Sequence, residues 1–99
     1  RARDIAAATA AWERAKQMID DPAYGLVVLD EINIVLRNDY LDIEDVVNYL
    51  TTRQSNCHVM CTGRNAKPEL IEVADLVTEM TEIKHHFRAD FKAQTGIEF

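Results

Sequence analysis

From Arg1 to Ile19, the apolar positions Ile5, Ala8, Trp12, Ala15 and Ile19 recur at spacings of three and four. That period puts them on one stripe of an amphipathic helix. Trp12 falls within the stripe, so it reads as a core residue rather than a stacking surface for a ligand. Asp20-Asp21-Pro22 ends the helix, because proline cannot continue the ladder. The pattern then changes. Leu26, Val27, Val28 and Leu29 form an unbroken apolar run between Gly25 and Asp30. Such a run predicts a strand buried on both faces, as in parallel sheets covered by helices. Ile32 to Leu36 predicts a short helical turn leading into a polar loop, Arg37 to Tyr40.

Asp42 stands where an N-cap is expected, with Asp45 three residues later in the capping-box position. The helix it opens runs to about Thr52, with Ile43, Val46, Val47 and Leu50 facing the core. Cys57 to Thr62 predicts a second strand that ends at Gly63-Arg64. Pro68 suits the first turn of a third helix, running to about Ala74. Leu76 to Ile83 alternates as a third strand, and the tail from Lys84 to Phe99 has no clear period. Helices alternating with strands predict an α/β fold with a parallel sheet, covering helices and right-handed crossovers.

Length and composition narrow the function classes. With 99 residues and 47% hydrophobic content, the chain has material for one small core. A net charge of -6 disfavours nucleic acid as the main partner, since phosphate backbones need a cationic surface. No apolar run approaches the roughly 20 residues that cross a bilayer, and no secretory signal opens the chain. A cytoplasmic setting is therefore expected. Cys57 and Cys61, four apart in an apparent strand, should have Cα atoms roughly 13 Å apart. A disulfide spans at most about 7 Å, so both are expected to be small buried hydrophobes. His58 points to the opposite strand face, so no zinc site is expected there. The chain opens with Arg1 already inside a helix and without an N-cap residue. It is expected to be the C-terminal piece of a longer protein.

The candidate chemistry lies at strand ends, where open α/β sheets bind ligands. Asp30 and Glu31 follow the first strand; Thr62, Gly63 and Arg64 follow the second; Lys84, His85 and His86 follow the third. Two carboxylates after an apolar strand can hold Mg²⁺ beside a nucleotide phosphate, as in a Walker B segment. The same residues also read as a strand followed by an acidic turn. Arg64 offers a planar fork of donors for phosphate oxygens, or else caps a surface turn. His85 and His86 read as exposed loop histidines, without a third metal ligand at suitable spacing. A G-x-x-x-x-G-K-[ST] phosphate loop is absent, and the three glycines, Gly25, Gly63 and Gly96, lie far apart. On its own, the chain is not expected to bind ATP well.

Taken in order, these segments resemble a known family. Val27-Val28-Leu29-Asp30-Glu31, Tyr40-Leu41 before an acidic helix, and Thr62-Gly63-Arg64 are similar to motifs of the ATP:corrinoid adenosyltransferases. The match continues through Ala74-Asp75-Leu76-Val77-Thr78-Glu79-Met80, Lys84-His85 and the ending Lys92-Ala93-Gln94-Thr95-Gly96-Ile97-Glu98-Phe99. The last four residues resemble the natural C-terminus of that family. The resemblance implies a P-loop NTPase-like (RecA-like) α/β core, with residues 1–99 forming the C-terminal part of a single domain. The first strand and phosphate loop would then lie before Arg1, as would the aromatic residues that pack on the corrinoid.

The activity so implied is transfer of the 5′-deoxyadenosyl group of ATP to the Co(I) of a reduced corrinoid, with Mg²⁺ present and triphosphate released. The nucleophile comes from the corrinoid, so the protein positions the reactants and neutralises leaving-group charge. By resemblance Glu31 ligates or orients Mg²⁺ and Asp30 supports it. Arg64, with Thr62 and Gly63, lies near triphosphate and corrinoid and is the expected catalytic residue. Lys84 and His85 match a Lys-His pair of unassigned role. A homodimer and an electron-donating flavoprotein partner are also implied, with no nucleic acid and no membrane. Two alternatives stand beside this reading. One is a different P-loop ATP-hydrolysing enzyme, in which Glu31 would position water. The other is a non-catalytic half that serves folding and dimerisation.

Overall fold

The computed structural model describes residues 1–81 and the short strand at 97–98. Helix α1 spans Ala2–Asp20 and buries Ala8, Trp12, Ala15 and Ile19, the stripe expected from the spacing. Asp21 is extended and stops the helix before Pro22. Strand β1 is Leu26–Asp30, helix α2 Ile32–Arg37, helix α3 Ile43–Thr52, strand β2 His58–Cys61, and helix α4 Pro68–Val73. Strand β3 is Ile97–Glu98. The Asp42 side chain caps α3 by accepting the Glu44 backbone N–H at 2.9 Å. The cap bond therefore goes to the second helical residue, not to Asp45 as a capping box would have it.

The sheet is parallel, in the order β2-β1-β3. β1 and β2 run with Leu26 opposite His58 and Leu29 opposite Cys61. β1 and β3 pair Leu29 with Ile97 and Asp30 with Glu98. The core joins the α1 stripe to Val27 and Leu29 of β1, Ile32, Val35 and Leu36 of α2, and Ile43 and Val46 of α3. Tyr49 of α3 ties that helix to α1. Its ring meets Trp12 edge-on, with centroids 5.4 Å apart, and its hydroxyl donates to Asp20 Oδ1 at 2.7 Å. Burial, and then the bond to Asp20, push the Tyr49 hydroxyl well above the usual phenol range.

Three expectations are corrected. β1 is not buried on both faces: Val27 and Leu29 are enclosed, while Leu26 is 54% exposed and Val28 half-buried. Side chains alternate across a strand, and in the described residues α1 and the helices after β1 pack on the Val27–Leu29 face. Residues 76–81 do not form a strand, and Leu76, Val77 and Met80 are exposed. Both edges of β1 are already taken, by β2 and by β3. The third strand of the sheet instead comes from Ile97–Glu98, in the tail that showed no period. Finally, Cys57 precedes β2 rather than lying in it. It is buried and Cys61 partly so, and both thiols are free.

Candidate functional site

β1 and β2 run in the same direction, so their carboxyl ends bring Asp30-Glu31 and Thr62-Gly63-Arg64 to one edge of the sheet. The ladder continues past β2, with the Thr62 N–H donating to Leu29 O at 3.2 Å. That register sets the Thr62 hydroxyl between the two acids. Oγ1 donates to Asp30 Oδ1 at 2.9 Å and accepts the Glu31 backbone N–H at 3.0 Å. One hydroxyl therefore orients the Asp30 carboxylate and pins the backbone from which Glu31 projects.

Glu31 adopts φ 62° and ψ 20°, the left-handed region. A side chain there costs about 1–2 kcal/mol. Strain of this kind persists where the surroundings over-determine it, and it clusters at functional sites. Here the surroundings are the bond to Thr62 and the start of α2 immediately after. The Glu31 side chain is exposed at the sheet edge.

Asn33 was not foreseen as a site residue. It is the buried polar side chain of the described core, 4% exposed. Its Nδ2 donates to Gly63 O at 2.9 Å and its backbone N–H to Thr62 O at 3.3 Å. Gly63 has φ +124°, and a Cβ there would lie 3.0 Å from Asn33 Cβ. The close approach and the positive φ together require glycine at this position. Among the described residues, Asn33 Oδ1 has no hydrogen-bond partner. A signal was present in the sequence: a lone amide inside the apolar run Ile32 to Leu36.

Arg64 is exposed on the turn that Asn33 holds. It lines a cleft of about 290 Å³ together with Ile34, Arg37, Asn38 and Asn65. Asn65 is itself left-handed, at φ 55°. Thus the structure brings Asp30, Glu31, Thr62, Gly63 and Arg64 to one edge. Lys84, His85 and His86 lie outside the described residues. No group of three His, Cys, Asp or Glu side chains that could hold a metal ion occurs among the described residues. In that region no helix is long and apolar enough to cross a membrane. A second cleft, of about 440 Å³, lies between α1 and α3 and is lined by Trp12, Lys16 and Tyr49 among others. It is away from the strand ends.

The chain matches a family model described as ATP:corrinoid adenosyltransferase BtuR/CobO/CobP over residues 1–99. It is 58% identical to a corrinoid adenosyltransferase of Sinorhizobium sp., over all of this chain and 47% of the relative. Identity to a corrinoid adenosyltransferase of Pseudomonas aeruginosa is 52%, over all of this chain and 49% of the relative. Identity to corrinoid adenosyltransferase CobA of Salmonella typhimurium is 39%, over all of this chain and 50% of the relative. The chain thus spans about half the length of these relatives. On a match that runs its whole length and on these identities, the chain belongs to the ATP:corrinoid adenosyltransferase family.

Proposed function

We propose that the protein containing this chain transfers the 5′-deoxyadenosyl group of ATP to the Co(I) of a reduced corrinoid. A cobalt–carbon bond forms, the C5′–O bond breaks, and triphosphate leaves with the electron pair of that bond. The observation that carries the reading is the family match over residues 1–99. It is supported by the Thr62 bridge, which bonds the Asp30 carboxylate and the Glu31 backbone N–H beside the Arg64 turn. Residues 1–99 then form the C-terminal part of a single P-loop-type α/β domain.

The geometry supports a role for each residue. Asp30 and Glu31 fit a Mg²⁺ ion that takes its remaining ligands from phosphate and water, as this cation usually does. Asp30 keeps one carboxylate oxygen outside its bond to Thr62. Glu31 projects from the strand end with its carboxylate exposed. When bound, Mg²⁺ offsets the charge that builds on the departing triphosphate. Thr62 orients the Asp30 carboxylate and pins the Glu31 backbone. Arg64, on a turn fixed by Asn33, adds a charge-assisted donor fork for phosphate or corrinoid oxygens. No protein nucleophile is required, since Co(I) attacks. Homodimer assembly, a cytoplasmic setting and a flavoprotein reductant belong to the same proposal.

The test is to incubate full-length protein with MgATP and chemically reduced cobalamin, following the cob(I)alamin spectrum and the phosphate products. Corrinoid-dependent release of one triphosphate per cobalt–carbon bond is expected. Rapid hydrolysis of ATP to ADP without corrinoid would favour a hydrolase, with Glu31 positioning water.

A further inference from the structure

The cleft beside the strand ends is lined by two arginines. Arg64 comes from the Thr62–Arg64 turn and Arg37 from the last turn of α2. Among the described residues the cleft lining contains no carboxylate: its other residues are Ile34, Asn38 and Asn65. The acid nearest in sequence, Asp39, is already engaged by Lys67 at 2.9 Å. Among the described residues, neither Arg37 nor Arg64 has an ion-pair or side-chain hydrogen-bond partner. In a chain with 17 acids against 11 basic residues, two arginines that line one cleft with no acid among its described residues form a local positive site.

The backbone explains how they meet. Asn33 and Arg37 are four apart, on one face of α2. Asn33 grips Thr62 and Gly63, so the next turn of the same helix face is brought beside Arg64. Arg37 also suits the negative end of α2. That accounts for a positive charge on the helix but not for a second arginine lining the same cleft.

We infer that Arg37 and Arg64 together bind a phosphate-type anion, with Arg37 as a binding residue not assigned by motif. Two planar forks can each take a pair of oxygens from one polyphosphate. The anion is the triphosphate portion of the nucleotide, because the cleft adjoins the turn that also holds the Asp30–Glu31 corner. That last step rests on the transferase reading; the anion site itself does not.

The experiment titrates full-length protein with inorganic triphosphate, and separately measures transfer kinetics with ATP and corrinoid. Arg37→Gln should weaken triphosphate binding about tenfold, the scale of one charge-assisted contact. Arg37→Lys keeps the charge at the helix end and should recover only part of the loss. The KM for ATP should rise, with the KM for corrinoid unmoved. Triphosphate affinity equal to wild type in Arg37→Gln overturns the site. A raised corrinoid KM with unchanged triphosphate affinity assigns the cleft to an anionic group of the corrinoid and overturns the triphosphate assignment. Wild-type protein that transfers no adenosyl group, yet loses triphosphate binding on Arg37→Gln, keeps the anion site and removes the transferase reading.

Discussion

The Thr62 hydroxyl lies 2.9 Å from Asp30 Oδ1, so a residue at the end of β2 orients the acid at the end of β1. The same oxygen accepts the Glu31 N–H. Two parallel strands thereby share one polar junction at their carboxyl ends.

Thr62→Val keeps the shape and removes both bonds. A loss of about 1 kcal/mol of stability is expected, for a partly buried donor and acceptor left unpaired. Adenosyl transfer in the full-length protein should fall much further, on the order of 10²-fold, because the acids lose their orientation. Thr62→Ser should restore most of it. Urea denaturation and initial rates measured on the same preparations separate the two effects. A valine variant with full activity would remove the junction from the mechanism.

Glu31 combines a left-handed backbone with the carboxylate proposed to hold Mg²⁺, and two substitutions separate them. Glu31→Gln retains the strain and loses the charge; transfer should drop on the order of 10²-fold at unchanged melting temperature. Glu31→Gly relieves a left-handed conformation at φ 62° and should stabilise the fold by about 1 kcal/mol while transfer is lost. A glycine variant that is less stable than wild type would show that the conformation carries little strain.

Gly63 and Asn33 should be energetically coupled. Gly63→Ala places a Cβ 3.0 Å from Asn33 Cβ at a φ of +124°, and about 1–3 kcal/mol of destabilisation is expected. Removing the Asn33 side chain clears the clash but not the backbone strain. The Asn33→Gly/Gly63→Ala pair, in which position 33 loses the Cβ that the new methyl would meet, should therefore cost less than the sum of the single changes. Strict additivity in chemical denaturation would contradict the close approach.

Burial pushes the Cys61 thiol from 9.0 up to about 11. The neutral form is therefore favoured in the folded state, and its contribution to stability is fully present below pH 9.0. It is lost as pH rises through about 11. Burial and the bond to Asp20 shift the Tyr49 hydroxyl in the same direction. The melting temperature should hold up to the lower limit and then fall with rising pH. Cys61→Ala should flatten the first part of that decline. An unchanged pH profile in Cys61→Ala would show that this thiol titrates normally.

Local chemistry made much of the molecule legible. The spacing of Ala8, Trp12, Ala15 and Ile19 specified the buried stripe of α1, because a helix turns every 3.6 residues whatever it packs on. Asp42, Pro68 and the Asp20–Pro22 stop set element ends through capping and ring geometry, which act within a few residues. The acids after β1 and the Thr-Gly-Arg turn after β2 were readable as strand-end chemistry for the same reason.

Tertiary structure decided the rest. A strand's partner lies far off in the chain, and a pattern of apolar residues does not name it. So Leu76–Ile83 read as a strand on alternation, while Ile97–Glu98 occupies the free edge of β1. Likewise, an apolar run cannot tell one covered face from two, and Leu26 proved exposed. Most of the site's geometry is of this kind. Thr62 bonds residues 31 and 32 positions away, and Asn33 reaches a carbonyl 30 positions away. Arg37 and Arg64 come to share a cleft only because a parallel register carries β2 alongside β1 and leaves both turns at the same end.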